Sequence, residues 1–167
     1  NWFSESSLID TGYLDETISI LRELNLIYDK DEATWIKTEE LGDDRDNVLF
    51  KSSDKKPTYF ATDIAYHRNK FKERSFEKVI NVWGSDHHGH IKRMELILEK
   101  LNVNPKNFKV ILNQIVSLKS NNNTVKFSKR SGNSIFLSEI VEEIGADACR
   151  FSFLSRSSES QMEIDLD

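Results

Sequence analysis

"KVINVWGSDHHGH", residues 78–90, passes from a β-branched apolar run, through Gly84, into a polar stretch dense in histidine. Its first seven residues predict a buried strand. The continuation "HIKRMELILEKL", residues 90–101, puts Ile91, Met94, Leu98 and Leu101 on one face of a helix. Upstream, "TYFATDIAYHRNKFKER" (58–74) reads as a turn into a helix. Downstream, "FKVIL" (108–112) and "QIVSLKS" (114–120) read as strands. "LSEIVEEIG" (137–145) and "ADACRFSFLSR" (146–156) then read as helices, with Gly145 between them. Helix, strand, helix, strand is the order of an α/β fold, a parallel sheet with crossover helices. Ligands of such sheets sit outside the carboxyl ends of the strands, which is where "GSDHHGH" falls.

The opening third has another texture. Leu14, Ile18, Leu21 and Leu24 form a helical stripe, expected to be capped by Asp10 or Thr11 and to end near Asn25. "ATWIK" (33–37) and "NVLFK" (47–51) read as short strands around the acidic "EELGDDRD" (39–46). Residues 1–56 therefore read as a small α+β appendage, and the texture changes after Pro57.

Bulk properties bound the function. A chain of 167 residues fits one domain with room for a small subdomain, and 38% hydrophobic with 31% charged residues suits a globular protein with a core. The net charge of −5 excludes attraction to nucleic acid or anionic lipid by bulk electrostatics, so such contact needs a local patch. Cys149 is the only cysteine, which rules out an internal disulfide and fits a reducing, cytoplasmic compartment. No apolar run approaches the roughly 20 residues that span a bilayer, and no signal peptide is read. The chain opens at "NWFSESSL" without Met and closes at "EIDLD", so it is expected to be a piece of a longer protein.

Three groups of residues carry chemistry. Gly84 lets the backbone turn and a ligand approach closely. Asp86 is an acceptor suited to ribose hydroxyls or a metal, and His87, His88 and His90 add three imidazoles, with His67 on the preceding helix. This supports metal binding, nucleotide and substrate binding at a strand end, or a polar loop with capping roles. For a metal, adjacent His87 and His88 point in different directions, so only one joins a shared site. Tyr59 and Asp63, four apart at a helix entry, share a face; a phenol and a carboxylate suit a guanidinium, while the plainer reading is a first-turn acid beside a core tyrosine. "VKFSKRSGN" (125–133) gathers Lys126, Ser128, Lys129 and Arg130 around Phe127, with Gly132 allowing movement. It is either a solvated basic turn or a clamp for phosphate charge that develops in a transition state.

"VKFSKRSGN" resembles the KMSKS loop of class I aminoacyl-tRNA synthetases in its KMSKR-x-GN form. "TYFATDIAYHRNKF" and "WGSDHHGH" before it, "ADACRFSFL" after it, and the "WFSESSL" and "EIDLD" ends together resemble arginyl-tRNA synthetase over nearly the whole chain. The resemblance implies that residues 57–136 are the second half of a Rossmann-like, nucleotide-binding catalytic domain and 137–167 a helical junction. It implies that arginine and ATP, with Mg2+, form arginyl-adenylate and pyrophosphate, and that the arginyl group then moves to the terminal ribose of tRNA(Arg). No tightly bound cofactor or metal site is expected, and the partners are these substrates and the rest of the synthetase chain, with no membrane. Position by position, Tyr59 and Asp63 match the arginine-recognition residues, and His87 falls where many members hold the substrate amino acid with glutamine. Gly84 and Asp86 match the strand end bordering the ATP ribose and the amino acid. Lys126, Ser128 and Lys129 match the catalytic loop that stabilises the triphosphate. Phe127 stands for the common Met, and Arg130 for the last serine of the generic motif.

The family's HIGH signature is absent; "HHGH" (87–90) imitates it after a late strand and is not given that role. The piece alone is therefore expected to carry half an active site and to activate arginine poorly or not at all. Two other classes stand beside this one. A metal-dependent phosphoesterase could be built on "DHH" with acids from "EELGDD" and "IDLD". A non-catalytic module could bind RNA or protein, although the acidic balance opposes strong nonspecific RNA binding.

Overall fold

Leu14 and Leu21, two helical turns apart, are both buried on the first long helix of the chain. The computed structural model describes residues 2–51, 56–120, 123–125 and 136–165. Those residues order as α1 (Ser7–Asp10), α2 (Tyr13–Glu23), β1 (Ile27–Lys30), β2 (Ala33–Ile36), β3 (Asn47–Phe50), α3 (Tyr59–Lys72) and β4 (Val79–Gly84). There follow α4 (His88–Lys100), β5 (Phe108–Asn113), β6 (Val116–Ser120), β7 (Asn123–Val125), α5 (Leu137–Ile144), α6 (Ala146–Leu154) and β8 (Met162–Asp165). The loop expected to hold phosphate, with Lys126, Ser128, Lys129 and Arg130, lies outside the described residues. The chain clusters into two compact units, residues 1–81 with 89–110, and residues 82–88 with 111–167.

In the first unit, α2 is not capped by Asp10 or Thr11 as the sequence suggests. Its N-cap is Gly12, at φ 75°, a left-handed conformation that glycine takes without strain. Asp10 closes α1, and the Thr11 hydroxyl donates to the Ser7 carbonyl at 2.7 Å, so both candidate caps are engaged with the preceding turn. β1, β2 and β3 form an antiparallel sheet in which Ile27 faces Ile36 and Trp35 faces Val48. Asp31 and Glu32, both at positive φ (49° and 57°), make the tight β1–β2 turn. Leu8, Leu21, Ile36, Leu49, Ile64, Met94, Ile97 and Leu98 are fully buried. Each such side chain contributes about 1.5–3 kcal/mol by leaving water.

The start of α3 is fastened to β3. Thr58 is its N-cap: the hydroxyl accepts from the Ala61 N–H at 3.4 Å and donates to the Val48 carbonyl at 2.9 Å. The Thr58 N–H also donates to the Leu49 carbonyl at 2.8 Å. Tyr59 thus occupies a first helical position fixed from both sides.

β4 departs from the buried strand read from its β-branched residues. Val79 and Asn81 point inward, whereas Ile80 and Val82 remain 56% and 66% exposed. Alternation along the strand forces this choice, and the inward face is the one whose Asn81 meets His67, Lys70 and the Lys109 carbonyl. β4 pairs with β5.

The second unit carries a sheet in the order β7–β6–β8, with β8 parallel to β6 (Val116 facing Met162, Leu118 facing Ile164) and β7 antiparallel. Ile140 on α5, Cys149 on α6, and Met162 and Ile164 on β8 form its core. The Glu139 carboxylate reaches back to accept from the Phe136 N–H at 2.9 Å, closing the first turn of α5. Gly145, at φ 87°, turns the chain from α5 into α6.

Candidate functional site

α3 carries the first group of candidates. Tyr59 is 91% exposed and, with Glu5, Ser6, Ile9, Lys56 and Thr62, lines an open groove of about 580 Å³. Asp63 follows one turn later, and no hydrogen bond joins it to Tyr59 among the described residues. Instead its Oδ2 lies 3.1 Å from His90 Nε2, with Asp63 33% and His90 16% exposed at the side chain. The His90 ring stands edge-on to Phe60, centroids 5.0 Å apart at 67°.

The backbone of Asp63 is held as well. His67 Nδ1 lies 2.8 Å from the Asp63 carbonyl, and a carbonyl can only accept, so Nδ1 carries the proton. His67 Nε2 lies 3.1 Å from Asn81 Oδ1, and that oxygen accepts from Lys70 Nζ at 3.0 Å. Burial first, and then the Lys70 charge, hold the His67 pKa below its usual value, against the raising pull of its bonds to the Asp63 carbonyl and to Asn81. Burial likewise lowers Lys70 to about 8, against opposing pulls from Asp63 and Glu5. Its ammonium sits 4.0 Å from the Tyr66 ring centroid.

The second group lies at the end of β4. Gly84 is extended (φ −67°, ψ 152°), a conformation open to any residue, so its use is space. A Cβ there would stand 2.6 Å from Asp86 Oδ1. Ser85–His87 then make one tight turn that leads into α4. Asp86 and His87 are both exposed, with Oδ2 and Nε2 3.8 Å apart, beyond hydrogen-bond reach. Trp83 flanks His87 at 6.3 Å between ring centroids. The Ser85 hydroxyl donates to Gln114 Oε1 at 2.6 Å, tying the ends of β4 and β5 together.

The structure therefore distributes the predicted residues. Asp63 is joined by His90 and His67 in the first unit; Gly84, Asp86 and His87 stand together in the second. Among the described residues no group of three or more His, Cys, Asp or Glu side chains is placed to hold a metal ion, so the "DHH" reading as a metal centre gains no third ligand. Nor is any helix among them long and apolar enough to cross a membrane.

Sequence reasoning missed the partnership of His90 with Asp63, the Asn81 junction and the Ser85–Gln114 bond. Asn81 alone left a signal, a carboxamide inside an otherwise apolar strand.

Comparison with known proteins gives this geometry its context. Residues 3–157 match the family model described as tRNA synthetases class I (R), catalytic domain. The arginine–tRNA ligase of Dehalococcoides mccartyi is 51% identical over 99% of this chain, and that of Desulfitobacterium hafniense 48% identical over 99%. The chain spans about 30% of the length of these curated relatives. A solved arginyl-tRNA synthetase from Campylobacter jejuni superposes on 98% of the chain, and on 35% of its own, with a TM-score of 0.82 at 38% identity. The Thermus thermophilus arginyl-tRNA synthetase shares the fold at a TM-score of 0.71 over 96% of this chain and 37% of its own, at 14% identity. By sequence over nearly its whole length and by fold, the chain belongs to the catalytic-domain family of the class I arginyl-tRNA synthetases.

Proposed function

We propose that this chain is part of an arginine–tRNA ligase and contributes one side of the site where arginine and ATP, taken as its magnesium complex, form arginyl-adenylate and pyrophosphate. The arginyl group is then passed to the terminal ribose of tRNA(Arg). One observation carries the assignment to arginine: the half-buried Asp63 carboxylate, one turn after Tyr59 on α3, in a chain that matches the arginine family. A fixed carboxylate accepts two parallel N–H bonds from a guanidinium, a geometry that an ammonium does not reproduce.

The other roles follow the family pattern. Asp86, which has room because Gly84 has no Cβ, accepts from the ATP ribose; His87 contacts the amino acid. Lys126, Ser128 and Lys129 stabilise the triphosphate as charge builds on the leaving pyrophosphate. The residues of 1–56, 57–136 and 137–167 serve respectively as appendage, half-site and acceptor-stem junction.

The test is ATP–pyrophosphate exchange. A full-length enzyme carrying this chain exchanges label in the presence of arginine and not of lysine or citrulline, and the isolated chain exchanges little or none. Exchange that depends on another amino acid overturns the substrate assignment. Robust exchange by the isolated chain overturns the half-site reading, because catalysis here rests on positioning by groups from both halves.

A further inference from the structure

We propose that His90 is a positioning residue for arginine recognition, donating its Nε2–H to Asp63 and holding that carboxylate in the orientation a guanidinium requires. This rests on the reading of Asp63 as the guanidinium acceptor and adds a residue to it.

The geometry is specific. His90 Nε2 and Asp63 Oδ2 are 3.1 Å apart, and the imidazole is largely withdrawn from solvent against the edge of Phe60. Phe60 is itself buried and immediately precedes the turn that carries Asp63. The imidazole therefore has a fixed seat from which to reach the carboxylate. Asp63 is also held at its main chain, where His67 Nδ1–H donates to the carbonyl. Two histidines from different helices thus constrain one aspartate, His67 at the backbone and His90 at the side chain.

A carboxylate offers about four lone-pair sites, so one bond from His90 to Oδ2 leaves Oδ1 and the second site of Oδ2 for two parallel guanidinium bonds. Without His90, Asp63 can rotate, and binding arginine must then order it; that lost freedom appears in the affinity for arginine. ATP does not use this carboxylate, so its KM has no reason to change.

The experiment compares His90→Gln with His90→Met in the full-length enzyme. The two side chains are unbranched and of similar size, and only glutamine can donate to Asp63. Exchange kinetics give kcat and KM for arginine and for ATP, with the thermal midpoint of each variant recorded. The expected result for His90→Met is a rise of about tenfold in the arginine KM, with kcat and the ATP KM within about twofold of the parent. His90→Gln recovers most of that loss. Equal arginine KM values in the two variants overturn the proposal, as does a parallel rise in both substrates' KM, which marks a general structural role. If the parent itself activates an amino acid other than arginine, the assignment of Asp63 fails before His90 is tested.

Discussion

Replacing Gly84 with alanine should separate stability from function at the end of β4. The backbone there, φ −67° and ψ 152°, suits alanine. At a compatible position Gly→Ala stabilises by about 0.4–1 kcal/mol, because the unfolded chain has fewer states to lose. The added Cβ stands 2.6 Å from Asp86 Oδ1, so that oxygen must move. Asp86 is 74% exposed at its side chain and can rotate to another staggered well, which costs little. Net stability should therefore stay within about 1 kcal/mol of the parent, measured by urea unfolding. The carboxylate, however, leaves the position assigned to the ATP ribose. A hydrogen bond to a charged acceptor contributes about 1.5–3 kcal/mol, so the ATP KM in pyrophosphate exchange should rise roughly 10- to 100-fold. Since both changes act through one carboxylate, Gly84→Ala combined with Asp86→Ala should be no worse than Asp86→Ala alone. An unchanged ATP KM, or fully additive losses in the double variant, would refute the reasoning.

Other perturbations test the first unit. Leu98→Ala removes a fully buried side chain and should destabilise by about 2–5 kcal/mol in chemical denaturation; a loss under about 1 kcal/mol would contradict that packing. Arg68, buried on α3, donates to Thr17 Oγ1 at 3.3 Å and to Glu16 Oε1 at 2.6 Å and lies over the Tyr13 ring. Glu16 is 55% exposed, so its pairing counts for little, and Arg68→Met should lose about 1–3 kcal/mol through the hydroxyl and ring contacts. Arg68→Lys should restore less than half, lacking the planar fork; full restoration in urea titrations would sink this account. Lys70 has its pKa lowered from 10.5 to about 8, so between those values the unfolded chain binds the proton that the folded chain has released. Stability therefore rises with pH across that window. The parent should gain stability relative to Lys70→Met from pH 8 to 10.5, read from paired urea midpoints, and a difference that moves the other way would reverse the sign of the argument.

Local pattern carried much of the fold. β2 and β5 were legible from apolar runs, and α4 from the spacing of Met94, Leu98 and Leu101, all of which are buried. What escaped depends on distant partners. β1, "IYDK", has two polar residues in four and becomes a strand because β2 pairs with it across a tight turn. β8 exists as the parallel neighbour of β6, more than forty positions earlier in the chain, and its own residues alternate too briefly to announce it. The α2 cap was misread for a related reason: Asp10 and Thr11 are strong capping residues, but α1 had already used that stretch, leaving Gly12 to turn the chain.

The candidate site shows the same limit in sharper form. "DHHGH" invites treatment as one ligand cluster because the eye groups residues that are near in sequence. A tight turn advances each residue by about 120° and an α-helix by about 100°, so neighbours in the chain diverge in space. His87, at the turn, stands beside Asp86 and Trp83. His90, in the first turn of α4, instead meets Asp63, twenty-seven positions earlier. His67, on α3, serves the backbone of that same aspartate and a carboxamide on β4. The spacing of Tyr59 and Asp63 survives folding only as what is local: both lie on α3, one turn apart. The histidine count was a weak guide, since tertiary packing sets His90 against the Asp63 carboxylate and His67 against the Asp63 main-chain carbonyl, a division that no spacing rule for metal ligands describes.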